Sequence, residues 1–373
     1  MSPEVRYALS FVAALIGTLA LTPLAARLAH RVGLIDRPDA ERKAHAGPTP
    51  YLGGIAVMIG LVAVGAATSG FDGKVMTVLA GAVVLGAVGL RDDYQTVSPW
   101  IRIGFESAAG LSLWLSGIRA GVFMVPALDL LVTIVWVVAV INAFNMIDNM
   151  DGLASGVAAT AAAGVGAVTA AQGDYIVASF AFAVAGASIG FLRYNFPPAR
   201  IFLGDAGSML LGFLIAALTL HLDLVKEHTP TRIAVIVLLS IVPLFDLTIV
   251  VVARLAGRRP LWLGGQDHTS HRLKHRGSSP TQVALAFAAG QAVASVVAWI
   301  VYTQSSVALT WWVLSGVAVG WISAMAILLQ MPHPLPVAVA PTEEPIVVLD
   351  GGAAEAAPPS ELLASRGLER RAE

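Results

Sequence analysis

Apolar residues dominate the chain in long runs that short polar stretches interrupt. A helix that crosses a bilayer takes about 20 mostly apolar residues. Eleven runs meet or approach that length: Tyr7–Ala29, Gly53–Ser69, Val75–Leu90, Ile103–Ile118, Leu128–Met146, Leu153–Ala171, Tyr175–Leu192, Ser208–Leu222, Ile233–Leu255, Gln282–Tyr302 and Val307–Met331. Several are rich in Gly and Ala, which suits close packing between helices in lipid. The pattern predicts an all-α, polytopic membrane protein with about eleven spans over residues 1–331. The remainder, 332–373, is rich in Pro, Ala and Glu and is expected to be disordered or loosely helical. The first run lacks a strongly basic start and a small-residue cleavage site, so it is read as a retained span.

An odd number of spans places the two ends on opposite sides. Eighteen of the 23 Lys and Arg residues fall on alternate connections and in the tail, among them Arg27, Arg31, Arg91, Arg102, Arg193, Arg200, Arg254, Arg272 and Arg276. The other connections hold only Arg6, Lys74, Arg119, Lys226 and Arg232. The basic side is expected to face the cytoplasm. The N-terminus is then outside and the C-terminus inside. Every unusual polar stretch falls on the basic side.

Composition sharpens this. The chain is 57% hydrophobic and 13% charged, where soluble proteins carry about 25% charged residues; its mean hydropathy is +0.76. The absence of cysteine excludes disulfides, thiolate metal sites and cysteine nucleophiles. The formal net charge of −1 says little about partners, and nucleic acid is not expected among them.

Against this background Asn142–Gly152 stands out. Asn142, Asn145, Asp148 and Asp151 recur every third residue at the end of an apolar run. Neighbours at i, i+3 share a helix face, although the face drifts by about 60° per step. The expected arrangement is a helix carrying Asn142, Asn145 and Asp148 along one side and ending near Gly152. Acids and amides at this depth mark a functional site; an interfacial end would more usually carry Lys, Arg, Trp or Tyr.

Four further stretches share that side. In Arg91-Asp92-Asp93-Tyr94, paired carboxylates can hold a divalent cation or act on a phosphate, and a solvated turn is the competing reading. Asn195–Ser208 contains Phe202-Leu203-Gly204-Asp205-Ala206-Gly207-Ser208, a glycine-bearing loop that opens a helix where a phosphate could dock; Asp205 or Ser208 could equally be a simple N-cap. Gly265–Leu273 lies in a basic loop, where His268, His271 and Arg272 could grip a pyrophosphate or sugar. Zinc is less well served there, with no cysteine and no third histidine at matching spacing. His45 sits in a Pro- and Gly-rich stretch that reads as a shaped loop returning to the membrane. Asp246, inside the ninth run, and Glu106, in the fourth, are read as paired or supporting groups, with Arg254 on roughly the same face as Asp246.

In this order the stretches resemble the polyprenyl-phosphate N-acetylhexosamine-1-phosphate transferases of the WecA and TagO type, with the phospho-MurNAc-pentapeptide transferases (MraY) as more distant relatives. The resemblance covers roughly residues 33–276. Gly33-Leu34-Ile35-Asp36-Arg37-Pro38 looks like the WecA-type opening; Arg91-Asp92-Asp93, Asn142–Gly152 and Phe202–Ser208 resemble three signature loops. His268-Thr269-Ser270-His271-Arg272 departs from the triple histidine of MraY.

The resemblance implies transfer of a HexNAc 1-phosphate, with GlcNAc as the default, from a UDP-sugar to a polyprenyl phosphate with release of UMP. This is the first membrane step of an envelope glycan. It implies Mg²⁺, with Mn²⁺ as a substitute, bound by Asp205 and Asn145. It places Asp148, Asn195 and Phe202 in the uridine pocket and His45 among the substrate contacts. Asp92 or Asp93 would orient or deprotonate the acceptor, and Asp148, Asp151, His268, His271 and Arg272 would complete the catalytic set. A homodimer is left open. The rivals are a MurNAc-pentapeptide transferase and, from another class, a lipid or solute transporter, which would need polar residues at the bilayer midplane and access from both sides.

Overall fold

The structure is a computed structural model, and it describes residues 1–36, 48–123, 125–222, 224, 227–262 and 265–331. His45 and the tail 332–373 lie outside the described residues. The described chain is helical apart from one two-residue ladder. The helices are α1 (Pro3–Val32), α2 (Gly53–Ser69), α3 (Gly73–Tyr94), α4 (Pro99–Leu115), α5 (Pro126–Ile147), α6 (Leu153–Gln172), α7 (Tyr175–Asn195), α8 (Gly204–His221), α9 (Thr229–Leu238), α10 (Ile241–Ala256), α11 (Thr269–His275), α12 (Pro280–Gln304) and α13 (Val307–Leu329). Strands β1 (Ile35–Asp36) and β2 (Thr49–Pro50) pair antiparallel, with Ile35 opposite Pro50.

Each apolar run falls on a helix, as a chain in lipid requires, because only an internally bonded backbone tolerates hydrocarbon. Among the described residues, eight helices are long and apolar enough to cross a membrane, or nine if α9 and α10 make one broken span. Two predicted spans, α2 and α4, are only 17 residues long. The helix starts are written in the sequence. Proline occupies the first turn of α1, α4, α5, α9 and α12, where its missing N–H would be unpaired anyway. Asp72 and Asp174 cap α3 and α7, and Ser279 with Gln282 forms a capping box on α12.

Two expectations change. The helix expected to reach Gly152 stops at Ile147: Asp148 is its cap, a turn follows, and Gly152 at φ +75° starts α6 instead. The ninth run is bent by 81° between α9 and α10. Pro243 cannot donate back to Leu239, so the ladder breaks there. Two backbone groups at the break are met by one buried side chain on α12: Gln291 Nε2 donates to the Leu238 carbonyl at 3.0 Å, and the Val242 N–H donates to Gln291 Oε1 at 3.3 Å.

The centre of the bundle is α8, packed among α2, α3, α5 and α6. Fully 89% of its most apolar window is buried, against 6% for α13. Hydroxyls in these helices bond to carbonyls one turn back, as Thr169 does to Val165 and Ser188 to Val184, so few polar groups meet lipid unpaired. Between neighbours, Trp136 Nε1 donates to Thr219 Oγ1 across α5 and α8. With α8 fixed at the core, its first turn is a rigid platform, and the ends of α3 and α5 meet it there.

Candidate active site

Asp92 and Asp93 close α3. Asp93 supplies from a distance the cap that α8 lacks locally: the Asp205 N–H donates to its Oδ1 at 2.7 Å and the Ala206 N–H to its Oδ2 at 3.1 Å. The approach is very close. Gly204 has φ +73°, and a Cβ there would lie 2.6 Å from Asp93 Oδ2; a Cβ on Gly89 would lie 2.3 Å from the Asp205 carbonyl oxygen. Only glycine allows α3 and the start of α8 to interlock in this way.

Asn145, on α5, reaches the same turn. Its Nδ2 donates to Asp205 Oδ1 at 2.6 Å and to Ser208 Oγ at 3.0 Å. Its Oδ1 accepts from Arg102 at 2.9 Å. Arg102 also donates to Asp92 Oδ2 at 2.6 Å and stands 3.7 Å from Asp205 Oδ2. The second oxygen of Asp92 accepts from the Val97 N–H at 2.7 Å. Sequence reasoning counted Arg102 only as a loop cation; among the described residues it is the cation that ties Asp92, Asn145 and Asp205 together. Its signal was position, ten residues past Asp92 on a helix that turns back across the site.

Asp148 caps α5 beside this cluster and accepts no hydrogen bond among the described residues. Burial, and then the carboxylates of Asp205, Asp93 and Asp151, hold its carboxyl well above the ordinary carboxylate range. Such a group gains most from a cation. No three His, Asp or Glu side chains among the described residues form a ready-made metal cage. Mg²⁺ needs only one or two protein carboxylates and takes its remaining oxygens from phosphates and water; Asp205 and Asp148 offer oxygens of that kind, and Asn145 is already engaged on both sides of its amide.

The loop beside the cluster is knitted by backbone. The Phe202 N–H donates to the Pro50 carbonyl at 2.8 Å, and the Gly53 and Gly54 N–H groups return to the carbonyls of Phe202 and Leu203 at 3.1 and 2.9 Å. Phe202 is half-buried, with its ring 5.5 Å from that of Tyr51. Tyr51 was not foreseen. Burial and then Asp36, with Asp93 and Asp205 further off, push its hydroxyl above the ordinary tyrosine value, so it stays a donor beside the acids. Asn195 is 3% exposed and acts as a clamp, accepting from the Gly152 N–H at 3.0 Å and donating to the Ile201 carbonyl at 3.0 Å. Asp151 holds the Ala199 N–H at 2.8 Å.

The histidines form a second cluster. Asp246, buried on α10, stands 2.8 Å from His268 Nδ1 through Oδ2 and accepts the Thr269 N–H at 2.7 Å through Oδ1. A carboxylate can only accept, so Nδ1 carries a proton and donates it to Asp246. Asp246 thus serves His268 rather than Arg254. Arg254 bonds instead to Asp267, as does Arg259, the latter at 2.6 Å. Burial pushes the Asp267 carboxyl up, but Arg259 and Arg254 more than reverse this and hold it below the usual range. The His271 ring lies 5.9 Å from that of His268. Burial, and then His268, pull His271 down to about 4, so it is a neutral ring at pH 7 and offers no charge to a phosphate. Arg272 is fully buried and turned away: it donates to the carbonyls of Asp267, Leu328 and Met331, which hangs α11 from the end of α13. Among the described residues the two clusters meet through one side-chain pair, Ser270 Oγ donating to Asn149 Oδ1 at 2.6 Å.

The chain matches the model for glycosyl transferase family 4 over residues 75–223, which takes in Asp92, Asp93, Asn145, Asp148 and Asp205. It is similar to a probable undecaprenyl-phosphate N-acetylglucosaminyl 1-phosphate transferase of Bacillus subtilis, 31% identical over 74% of this chain and 79% of that one. It is similar to a decaprenyl-phosphate N-acetylglucosaminephosphotransferase of Mycobacterium tuberculosis, 32% identical over 69% of this chain and 73% of the other. A third relative, an undecaprenyl-phosphate alpha-N-acetylglucosaminyl 1-phosphate transferase of Escherichia coli, is 28% identical over 69% and 74%.

Proposed function

The chain belongs to the polyprenyl-phosphate N-acetylhexosamine-1-phosphate transferases of glycosyl transferase family 4, and from that premise we propose that it transfers GlcNAc 1-phosphate from UDP-GlcNAc to a polyprenyl phosphate, releasing UMP. The observation that carries this reading is the convergence of Asp93, Asp205, Asn145 and Arg102 on the first turn of α8, with the unbonded Asp148 beside them. The first membrane step of an envelope glycan needs a site that takes an anionic nucleotide from water and an anionic carrier from lipid. The basic connections argue that this side faces the cytoplasm of a bacterial inner membrane, with about eleven spans, the N-terminus outside and the C-terminus inside.

In this mechanism an oxygen of the acceptor phosphate attacks the β-phosphorus of the donor. A new P–O–P link forms and the bond to UMP breaks. The acceptor's second pKa is about 6, so it arrives largely dianionic and needs little help from a base. Asp205 and Asp148 would hold Mg²⁺, which neutralises charge on the diphosphate. Asp93 positions α8, and Asp92 positions Arg102, whose guanidinium balances the acids. Phe202 and Tyr51 offer rings to the uracil base, with Asn195 and Asp151 holding the loops beneath them. His268, oriented by Asp246, and neutral His271 donate or accept hydrogen bonds at the sugar or phosphate. Transfer of this kind depends on positioning and charge more than on covalent chemistry.

The deciding assay is UMP release by purified protein given UDP-GlcNAc, polyprenyl phosphate and Mg²⁺. Turnover with that donor supports the reading. Turnover only with UDP-MurNAc-pentapeptide would replace the donor, and no UMP from any UDP-HexNAc would overturn the proposed reaction.

A further inference from the structure

One buried acid on α4 takes no part in the proposed reaction. Glu106 is fully buried. Its Oε2 accepts from Asn142 Nδ2 of α5 at 2.6 Å, and that nitrogen also donates to the Val138 carbonyl at 2.8 Å. Its Oε1 is buried and has no hydrogen-bond partner. An ionisable side chain in such a setting marks function by default. An apolar residue of similar volume would stand there at less cost, so packing does not account for an acid.

Glu106 lies one turn beyond Arg102, on the same helix face. The two make successive rungs to α5. Arg102 donates to Asn145 Oδ1 at 2.9 Å, and Glu106 takes its bond from Asn142, three residues back. One further turn along, Gly110 brings the helices into contact, and a Cβ there would lie 3.1 Å from Ile134 Cα. α4 packs chiefly on α3 and α5. Ile101, Phe105, Leu111 and Leu115 point away from this seam and are exposed, so the seam sets the height and rotation of α4. We infer that Glu106 is a positioning residue: its bond to Asn142 holds α4 in the register at which Arg102 reaches Asp92, Asn145 and Asp205. Its effect on turnover rests on the reaction proposed above. Arg102 stands 2.6 Å from Asp92 and 3.7 Å from Asp205, and a slip of α4 along α5 changes both spacings at once. The rung needs an acceptor from Glu106, which a glutamine also offers.

The test is a pair of measurements on the full chain. The first needs no turnover. Spin labels at Phe105→Cys and Leu131→Cys, both exposed positions in a chain without cysteine of its own, report the α4–α5 spacing by double electron–electron resonance. Glu106→Gln should keep the narrow distance distribution of the labelled parent, and Glu106→Leu and Asn142→Leu should each broaden or shift it. Identical distributions in all of them would overturn the rung. The second measurement is UMP release. Glu106→Leu should lower kcat on the order of 10²-fold, as a misplacement of about 1 Å does, with little change in KM for the donor. Glu106→Gln should restore most of the rate. In an Arg102→Met background, Glu106→Leu should lower kcat no further, because the two effects share one route. A full additional loss there would overturn action through Arg102, and a Glu106→Gln protein as slow as Glu106→Leu would overturn the acceptor role. Absence of UMP release from the wild type would sink the proposed reaction alone, since the label distances still decide the rung.

Discussion

The two clusters of the site are built differently. The carboxylate cluster rests on the first turn of the most buried helix and is joined to α3 and α5 by backbone and side-chain bonds of 2.6 to 3.1 Å. The histidine cluster sits on a seven-residue helix that is tied to Asp246, Asn149 and the end of α13 by a few single bonds. The difference separates what must stay fixed from what can shift. Groups that meet a diphosphate have to hold their geometry before it arrives, since electrostatic stabilisation depends on preorganisation. Groups that contact variable parts of a substrate can ride on a lighter mount, where small displacements are tolerated.

Breaking the rigid cluster should have the largest effect. Asp205→Asn keeps the shape but removes a charge from the proposed Mg²⁺ site. UMP release should fall by a factor on the order of 10³, comparable with the loss of a key electrostatic group elsewhere, with an unchanged elution profile. Activity within threefold of wild type would remove Asp205 from the metal site. Next comes Asp246→Asn, which frees the His268 ring. By analogy with carboxylates behind metal-bound histidines, activity should drop about tenfold to a hundredfold, while thermal stability changes less than the rate. A rate unaffected by the change would make Asp246 a purely structural group.

Cutting the link between the clusters should cost less. Ser270→Ala removes one hydrogen bond, a loss of about 1 kcal/mol, read as a modest fall in melting temperature and a few-fold rise in KM for the donor. An effect as large as that of Asp205→Asn would mean the clusters are one rigid unit. The pH dependence of stability reads out the histidine cluster by itself. His271 is held at about 4 in the fold against an ordinary 6.5, so the unfolded chain binds more protons between those values. Stability should therefore decline as pH falls from 6.5 towards 4, and His271→Gln should flatten that part of the curve in thermal melts.

Much of this was legible from residue order. A bilayer leaves few options to a long apolar run, so the helices could be read directly, and acids or amides at their ends in such a setting flagged the ends of α3 and α5 and the start of α8. What escaped were choices made by distant partners. Nothing local says that Arg272 bonds to carbonyls 56 and 59 residues away, that Asn195 clamps two loops, or that Arg102 bridges three elements. The periodicity of Asn142 to Asp151 suggested a longer helix, but Gly152 at positive φ belongs to the next one. Asp246 was expected to be paired or supporting, and its partner, His268, lay beyond the reach of helical spacing.

The side chain of Gln291 has a consequence for depth. Because one amide fastens both ends of the broken ladder, the elbow between α9 and α10 is a set joint and not a hinge. The level at which Asp246, and so His268, operates is thereby gauged from α12. Shortening that amide would let the whole imidazole assembly sink or rise relative to the acids without touching a single group that meets substrate.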